Sequence, residues 1–177
     1  MLLPDIRNAM DPRTWLAIAA AACVVDTAGL FVWRYTATPA GPINTWYDRF
    51  GLAAYGADIF SMIICIILAQ LITTSMGGPW NPVLFIAIVV AIQLIHDIVF
   101  AGLIVPAVPR GRNAIMDLMR SYSTMPGAGG ILIVDAIYMI LTALIAMLLV
   151  AAKPGVGWIT LIVTLYVTMY ILYTRPT

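Results

Sequence analysis

The chain has 177 residues, 63% of them hydrophobic and 10% charged, with a net charge of +1 and a mean hydropathy of +1.00. Soluble domains are about 25% charged, so this composition cannot clothe a water-facing surface and excludes both a free soluble globule and a disordered chain. A net charge this small gives no electrostatic footprint for nucleic acid, and an integral membrane protein remains.

The N-terminal run MLLPDIRNAMDPR places Pro and Asp where a cleavable signal needs apolar length, so the first span is expected to act as an uncleaved anchor. Five apolar runs are long enough to cross about 30 Å of hydrocarbon, which takes roughly 20 helical residues. They cover residues 15–33, 50–74, 83–108, 130–152 and 156–173. The expected fold class is all-α, a single polytopic transmembrane domain of five helices with one interfacial helix. Residues 34–49, with Pro39, Gly41 and Pro42, read as an extended loop. Gly77-Gly78-Pro79-Trp80-Asn81-Pro82 and Lys153-Pro154-Gly155 read as tight turns between antiparallel spans.

Residues 113–125 carry a different signal. Ile115, Leu118, Met119 and Tyr122 recur at helical spacing, with Asn113 as an expected N-cap and Pro126-Gly127 as a stop. Such an amphipathic helix lies in the membrane interface or packs on the rest of the protein, and both readings are open. The Gly127–Gly130 stretch reads as the entry to the fourth span; a phosphate site there is the weaker reading.

Orientation follows the Lys and Arg placement. One face holds Arg7, Arg13 and Lys153; the other holds Arg34, Arg49, Arg110, Arg112, Arg120 and Arg175. The six-positive face is expected to be cytoplasmic, with the N-terminus exocytoplasmic or lumenal and the C-terminus cytoplasmic. The five tryptophans fall at span ends or in loops, as an aromatic belt would place them.

Every acid is an Asp, and half of the eight lie inside spans: Asp26, Asp58, Asp97 and Asp135. An Asp at the centre of a spanning helix costs about 2.5–3.5 kcal/mol on insertion scales, so four acids facing lipid by accident is a poor reading. Counted from the span ends, all four fall in the cytoplasmic half. Gln93 and Asp97 form an i, i+4 pair beside His96, and these six residues make up the expected buried polar cluster. One reading is a proton or cation site with His96 as a titrating partner. The other is a structural hydrogen-bond cluster into which Arg34, Arg49, Arg110 and Arg112 reach down from the adjacent loops.

No Cys-x-x-Cys, His-x-x-x-His, Walker-type or Gly-x-Ser-x-Gly pattern is present. Neither a catalytic site, a metal site nor a cofactor is therefore expected. Cys23 and Cys65 read as small buried hydrophobes.

The run Trp46-Tyr47-Asp48-Arg49-Phe50-Gly51-Leu52 with Asp58, then Gln93-x-x-His96-Asp97, Pro109-Arg110-Gly111 and the Gly-rich entry to Asp135, resembles small multi-span membrane proteins of nucleocytoplasmic large double-stranded DNA viruses. The resemblance covers roughly residues 44–150. It implies a structural role in the internal virion membrane, in contact with the capsid as a minor component. The expected partners are lipid and, on the cytoplasmic face, capsid or other virion proteins. The residues expected to face such a partner are Arg34, Trp46, Tyr47, Arg49, Arg110, Arg112, Arg120 and Tyr122. The alternative is a small proton- or cation-coupled transporter using the intramembrane acids, although no inverted repeat is visible.

Overall fold

The computed structural model describes residues 3–36 and 42–174, so Pro39, Gly41 and Arg175 lie outside the described residues. Among the described residues five helices are long and apolar enough to cross a membrane. They are α1 (Pro12–Thr36), α3 (Leu52–Met76), α7 (Gly129–Ala151), α8 (Pro154–Leu172), and a rod made of α4 (Pro82–Val99), a π-helical turn (Phe100–Ile104) and α5 (Val105–Ala107). Among the described residues two short helices, α2 (Pro42–Phe50) and α6 (Ala114–Ser123), accompany these spans, and there is no strand.

Local chemistry sets the boundaries. Asn81 caps α4, its side chain accepting from the Val83 and Leu84 amides, with Pro82 in the first turn. Asn113 caps α6 in the same way through Ile115 and Met116. The five spans match the apolar runs to within three residues at each end.

The first connection differs from its expected form, because half of it is helix. Ile43, Trp46, Tyr47 and Phe50 recur at i, i+3, i+4, i+7 and give α2 one apolar face, with Pro42 at its start. Trp46 and Tyr47 are buried, with Ile43 and Phe50 packed beside them. The chain then turns sharply into α3 at Gly51, whose φ of +51° only glycine adopts without strain.

In the bundle α1 packs against α3, α7 and α8, while α4 closes the ring between α3 and α7. α1 can occupy the middle because many of its packed positions are small: Ala17, Ala20, Ala21 and Ala22 are all buried. Gly29 completes this surface, since a Cβ there would run into the Tyr138 ring of α7. α8 packs on the outside of α1, fastened by a hydroxyl cluster in which Thr27 lies 2.6 Å from Thr168 and 3.0 Å from Tyr55.

The two ends of the bundle are closed differently. At the end holding the Gly77–Pro82 turn, the N-terminal segment lies across the helices, with Gln70 donating to the Ile6 carbonyl and Trp80 to the Leu3 carbonyl. At the other end α2 and α6 cover the bundle. Leu118 is buried, and Ile115, Met119 and Tyr122 pack against the core, so α6 rests on the protein by its apolar face. Arg120 fixes it, donating to the Val105 and Val108 carbonyls at 2.7 and 2.6 Å.

Candidate functional site

The four acids come from four helices and lie toward the α2 end. Asp26 is ten residues before the end of α1 and Asp97 ten before the end of α5; Asp58 and Asp135 are each six residues into α3 and α7. At 1.5 Å per residue these positions are about 15 and about 9 Å from that end. They form two groups.

The first group is built under α2. Asp26 is 1% exposed. Tyr47 Oη stands between two carboxylates, 3.1 Å from Asp26 Oδ1 and 2.9 Å from Asp58 Oδ2. Trp46 Nε1 donates to the same Asp58 oxygen at 3.0 Å. α2 delivers both aromatic side chains because positions 46 and 47 share its buried face, and the Gly51 corner folds that face back over α1 and α3. Burial, together with the carboxylates of Asp26 and Asp58, pushes the Tyr47 hydroxyl well above the ordinary tyrosine value, so it stays a phenol. Asp26 Oδ2 is buried and has no hydrogen-bond partner.

The second group lies on α4 and α7. Gln93 donates to Asp97 Oδ1 at 2.8 Å, as the i, i+4 spacing predicts, and Cys65 on α3 donates to Gln93 Oε1 at 3.3 Å. His96 Nδ1 is 3.0 Å from the same Asp97 oxygen. The other one, Asp97 Oδ2, has no partner. The His96 side chain is 43% exposed and stacked on Phe100 at the start of the π turn, so it is not a buried member of the cluster as expected. Asp135 links the two groups electrostatically: it interacts with Asp97, Asp58 and His96, and with Asp26. Among the described residues Asp58 and Asp97 share no hydrogen-bond partner.

Among the described residues no arginine descends to the acids. Arg34 is 2% exposed, and its guanidinium is held at the α2 end. There it pairs with Asp48 at 2.7 Å and donates to Asn44 Oδ1 and to the Leu172 carbonyl that ends α8. Arg49 lies over Phe50, and Arg120 pairs with Asp117. Among the described residues no Lys or Arg forms an ion pair with Asp26, Asp58, Asp97 or Asp135. No group of three His, Cys or Asp side chains there is arranged to hold a metal ion.

The expected partner face changes accordingly. Arg34, Trp46 and Tyr47 are buried, so they hold the fold rather than offer a surface. Tyr122 and Arg120 are half-buried against the bundle, while Arg49, Arg110 and Arg112 are exposed. Burial and the nearby Asp58 carboxylate raise the Tyr122 hydroxyl to about 12, the Trp46 backbone opposing them. Hollows lie at the opposite end, one of about 160 Å³ opening between Pro12, Arg13, Leu16, Val150, Pro154 and Trp158.

What the sequence reading missed is the role of α2 as donor to the acids. The spacing of Ile43, Trp46, Tyr47 and Phe50 carries that signal, masked by the prolines before it. Compared with protein-family models, curated proteins and solved structures, the chain matches none.

Proposed function

We propose that this chain is a structural integral membrane protein of a large DNA virus, seated in the internal virion membrane with its α2 end cytoplasmic and turned toward the capsid. The observation that carries the structural part is the clasp. Asp26 and Asp58, acids that cost most inside lipid, are engaged by Tyr47 and Trp46 of a helix lying outside the spans. A polar group placed to anchor a surface helix to a bundle serves shape and rigidity. The viral setting is supported by the resemblance over residues 44–150, and the orientation by the six-to-three division of Lys and Arg. The exposed Arg49, Arg110 and Arg112 are the residues left to meet a capsid protein or lipid headgroups. Cross-linking of intact purified particles tests this: capsid cross-links should come from the α2 and α6 side. A protein missing from particles, or cross-linked through the Gly77–Pro82 turn, defeats the reading.

A second reading, proton- or cation-coupled transport through Asp26, Asp58, Asp97, Asp135 and His96, is favoured by one observation. Asp26 Oδ2 and Asp97 Oδ2 are buried acceptors with no donor. Reconstitution in vesicles separates the two readings: a flux lost in Asp97→Asn with folding intact supports transport, and no flux in the unaltered protein removes it.

A further inference from the structure

One hydroxyl carries one proton, and Tyr47 Oη faces two carboxyl oxygens at hydrogen-bond distance, Asp26 Oδ1 at 3.1 Å and Asp58 Oδ2 at 2.9 Å. If both acids were ionised, Tyr47 could serve one of them, and the other contact would set oxygen lone pairs against each other. A single added proton removes the conflict. Placed on Asp26 Oδ1, it is donated to Tyr47 Oη, whose own proton is donated to Asp58 Oδ2, and all the short contacts become bonds.

The surroundings choose which acid holds it. Asp58 Oδ2 already accepts from Trp46 Nε1, so two donors converge on it and it is the better site for negative charge. Asp26 is 1% exposed, has no donor but Tyr47, and its Oδ2 has none at all. The titratable groups that interact with the pair bring no cation. They are Cys23 on α1, Tyr47 on α2, Tyr122 on α6, and Asp135 and Tyr138 on α7. Tyr55 on α3 and Thr168 on α8 are bonded to Thr27, one residue along. His96 and Asp97 on α4 reach Asp135 rather than this pair. A buried carboxylate with no cation and one contested donor is a form that burial strongly disfavours, and a second carboxylate nearby adds to the penalty.

We propose that Asp26 and Asp58 form a buried proton-binding site in which one proton is shared across the Tyr47 hydroxyl, Asp26 being the acid and Asp58 the carboxylate. The site rests on the reading of α2 as a clasp, and is independent of where the protein resides. It makes the clasp a donor chain of one direction: Asp26 to Tyr47 to Asp58, with Trp46 closing it.

Infrared spectroscopy of the full chain in lipid nanodiscs reads this proton directly, with the amide band monitoring the fold. At neutral pH the unaltered protein should show a carboxylic-acid carbonyl band that disappears in Asp26→Asn. In Tyr47→Phe the band should remain but move, because the acid has lost its acceptor. A spectrum without the band, or one whose band is unchanged in both variants, overturns the proposal. So does a band lost in Asp58→Asn but retained in Asp26→Asn. Should Asp26→Asn fail to fold, Tyr47→Phe decides alone: a moved band supports the shared proton and an unmoved one overturns it. Because the readout is a protonated carboxyl, its failure is distinct from failure of the particle cross-linking.

Discussion

Asp26 and Asp58 occupy the same levels of their helices as Asp97 and Asp135, yet the two pairs are treated differently. The first is roofed by α2, with Tyr47 and Trp46 supplying its donors. The second is served from its own helix and by an exposed imidazole: Gln93 and His96 reach Asp97, and among the described residues no side chain donates to Asp135. A π turn begins three residues beyond Asp97, a distortion common at functional sites. The difference separates a fastening from a reserve. Where the donors come from a second element, the acid holds two parts of the fold together; where they come from the same helix, it leaves little to hold.

If that division is right, the first pair should dominate stability. Asp58→Leu leaves the buried Trp46 donor unpaired and reduces Tyr47 to its contact with Asp26, at about 2–3 kcal/mol in total. Thermal unfolding in detergent should show this as the largest loss among substitutions at the four acids. A loss no greater for Asp58→Leu than for Asp97→Leu would erase the distinction.

The next effect is expected at the corner that aims α2. Gly51 has φ +51° and ψ −124°, and a side chain there strains the backbone by about 1–3 kcal/mol. Space is not the obstacle, since an added Cβ meets only the Tyr173 hydroxyl at an ordinary 3.5 Å. Gly51→Ala should therefore destabilise and increase hydrogen exchange in α2 while leaving exchange in α4 unchanged. Equal increases in both helices would show that α2 is not a separately fastened element.

Tyr47→Phe removes one hydroxyl and is expected to cost about 1 kcal/mol. It also carries a pH signature. Tyr47 and Tyr122 both titrate above the ordinary tyrosine value of about 10 in the folded protein, Tyr122 at about 12. A folded state that holds these protons more tightly than the unfolded chain keeps its full stability below pH 10. It loses stability as pH rises from there toward 12 and beyond. Melting temperatures across this window should fall less steeply in Tyr47→Phe and Tyr122→Phe than in the unaltered protein. Parallel curves would mean that neither phenol is linked to folding.

Much of this architecture was legible because lipid makes strict demands. A run such as 130–152 has few alternatives to a spanning helix, and Asn113 announced α6 through its side chain. The i, i+4 bond of Gln93 to Asp97 was legible for the same reason, being local. α2 was not: Pro39, Gly41 and Pro42 outweighed four apolar positions whose meaning depends on a long-range fold-back at Gly51. The fate of Arg34 was hidden too. Its partners Asn44 and Asp48 lie on α2, and the third is a carbonyl at the far end of the chain, so nothing local distinguished this arrangement from an arginine reaching toward Asp26.

The smallest effects belong to the second pair. Asp97→Asn keeps an oxygen for Gln93 and His96 to bond, so stability should change by less than about 1 kcal/mol; Asp97→Leu removes the acceptor and should cost about 1–2 kcal/mol. His96→Phe keeps the ring that stacks on Phe100 and gives up only the bond to Asp97. On a half-exposed ring, this should move the unfolding midpoint by an amount close to the error of measurement. Unfolding titrations of the three variants, run beside Asp58→Leu, place the two pairs on one scale. A His96→Phe loss approaching that of Asp58→Leu would mean that the imidazole, although exposed, fastens α4 to α7 through Asp135, and the second pair would then be a clasp as well.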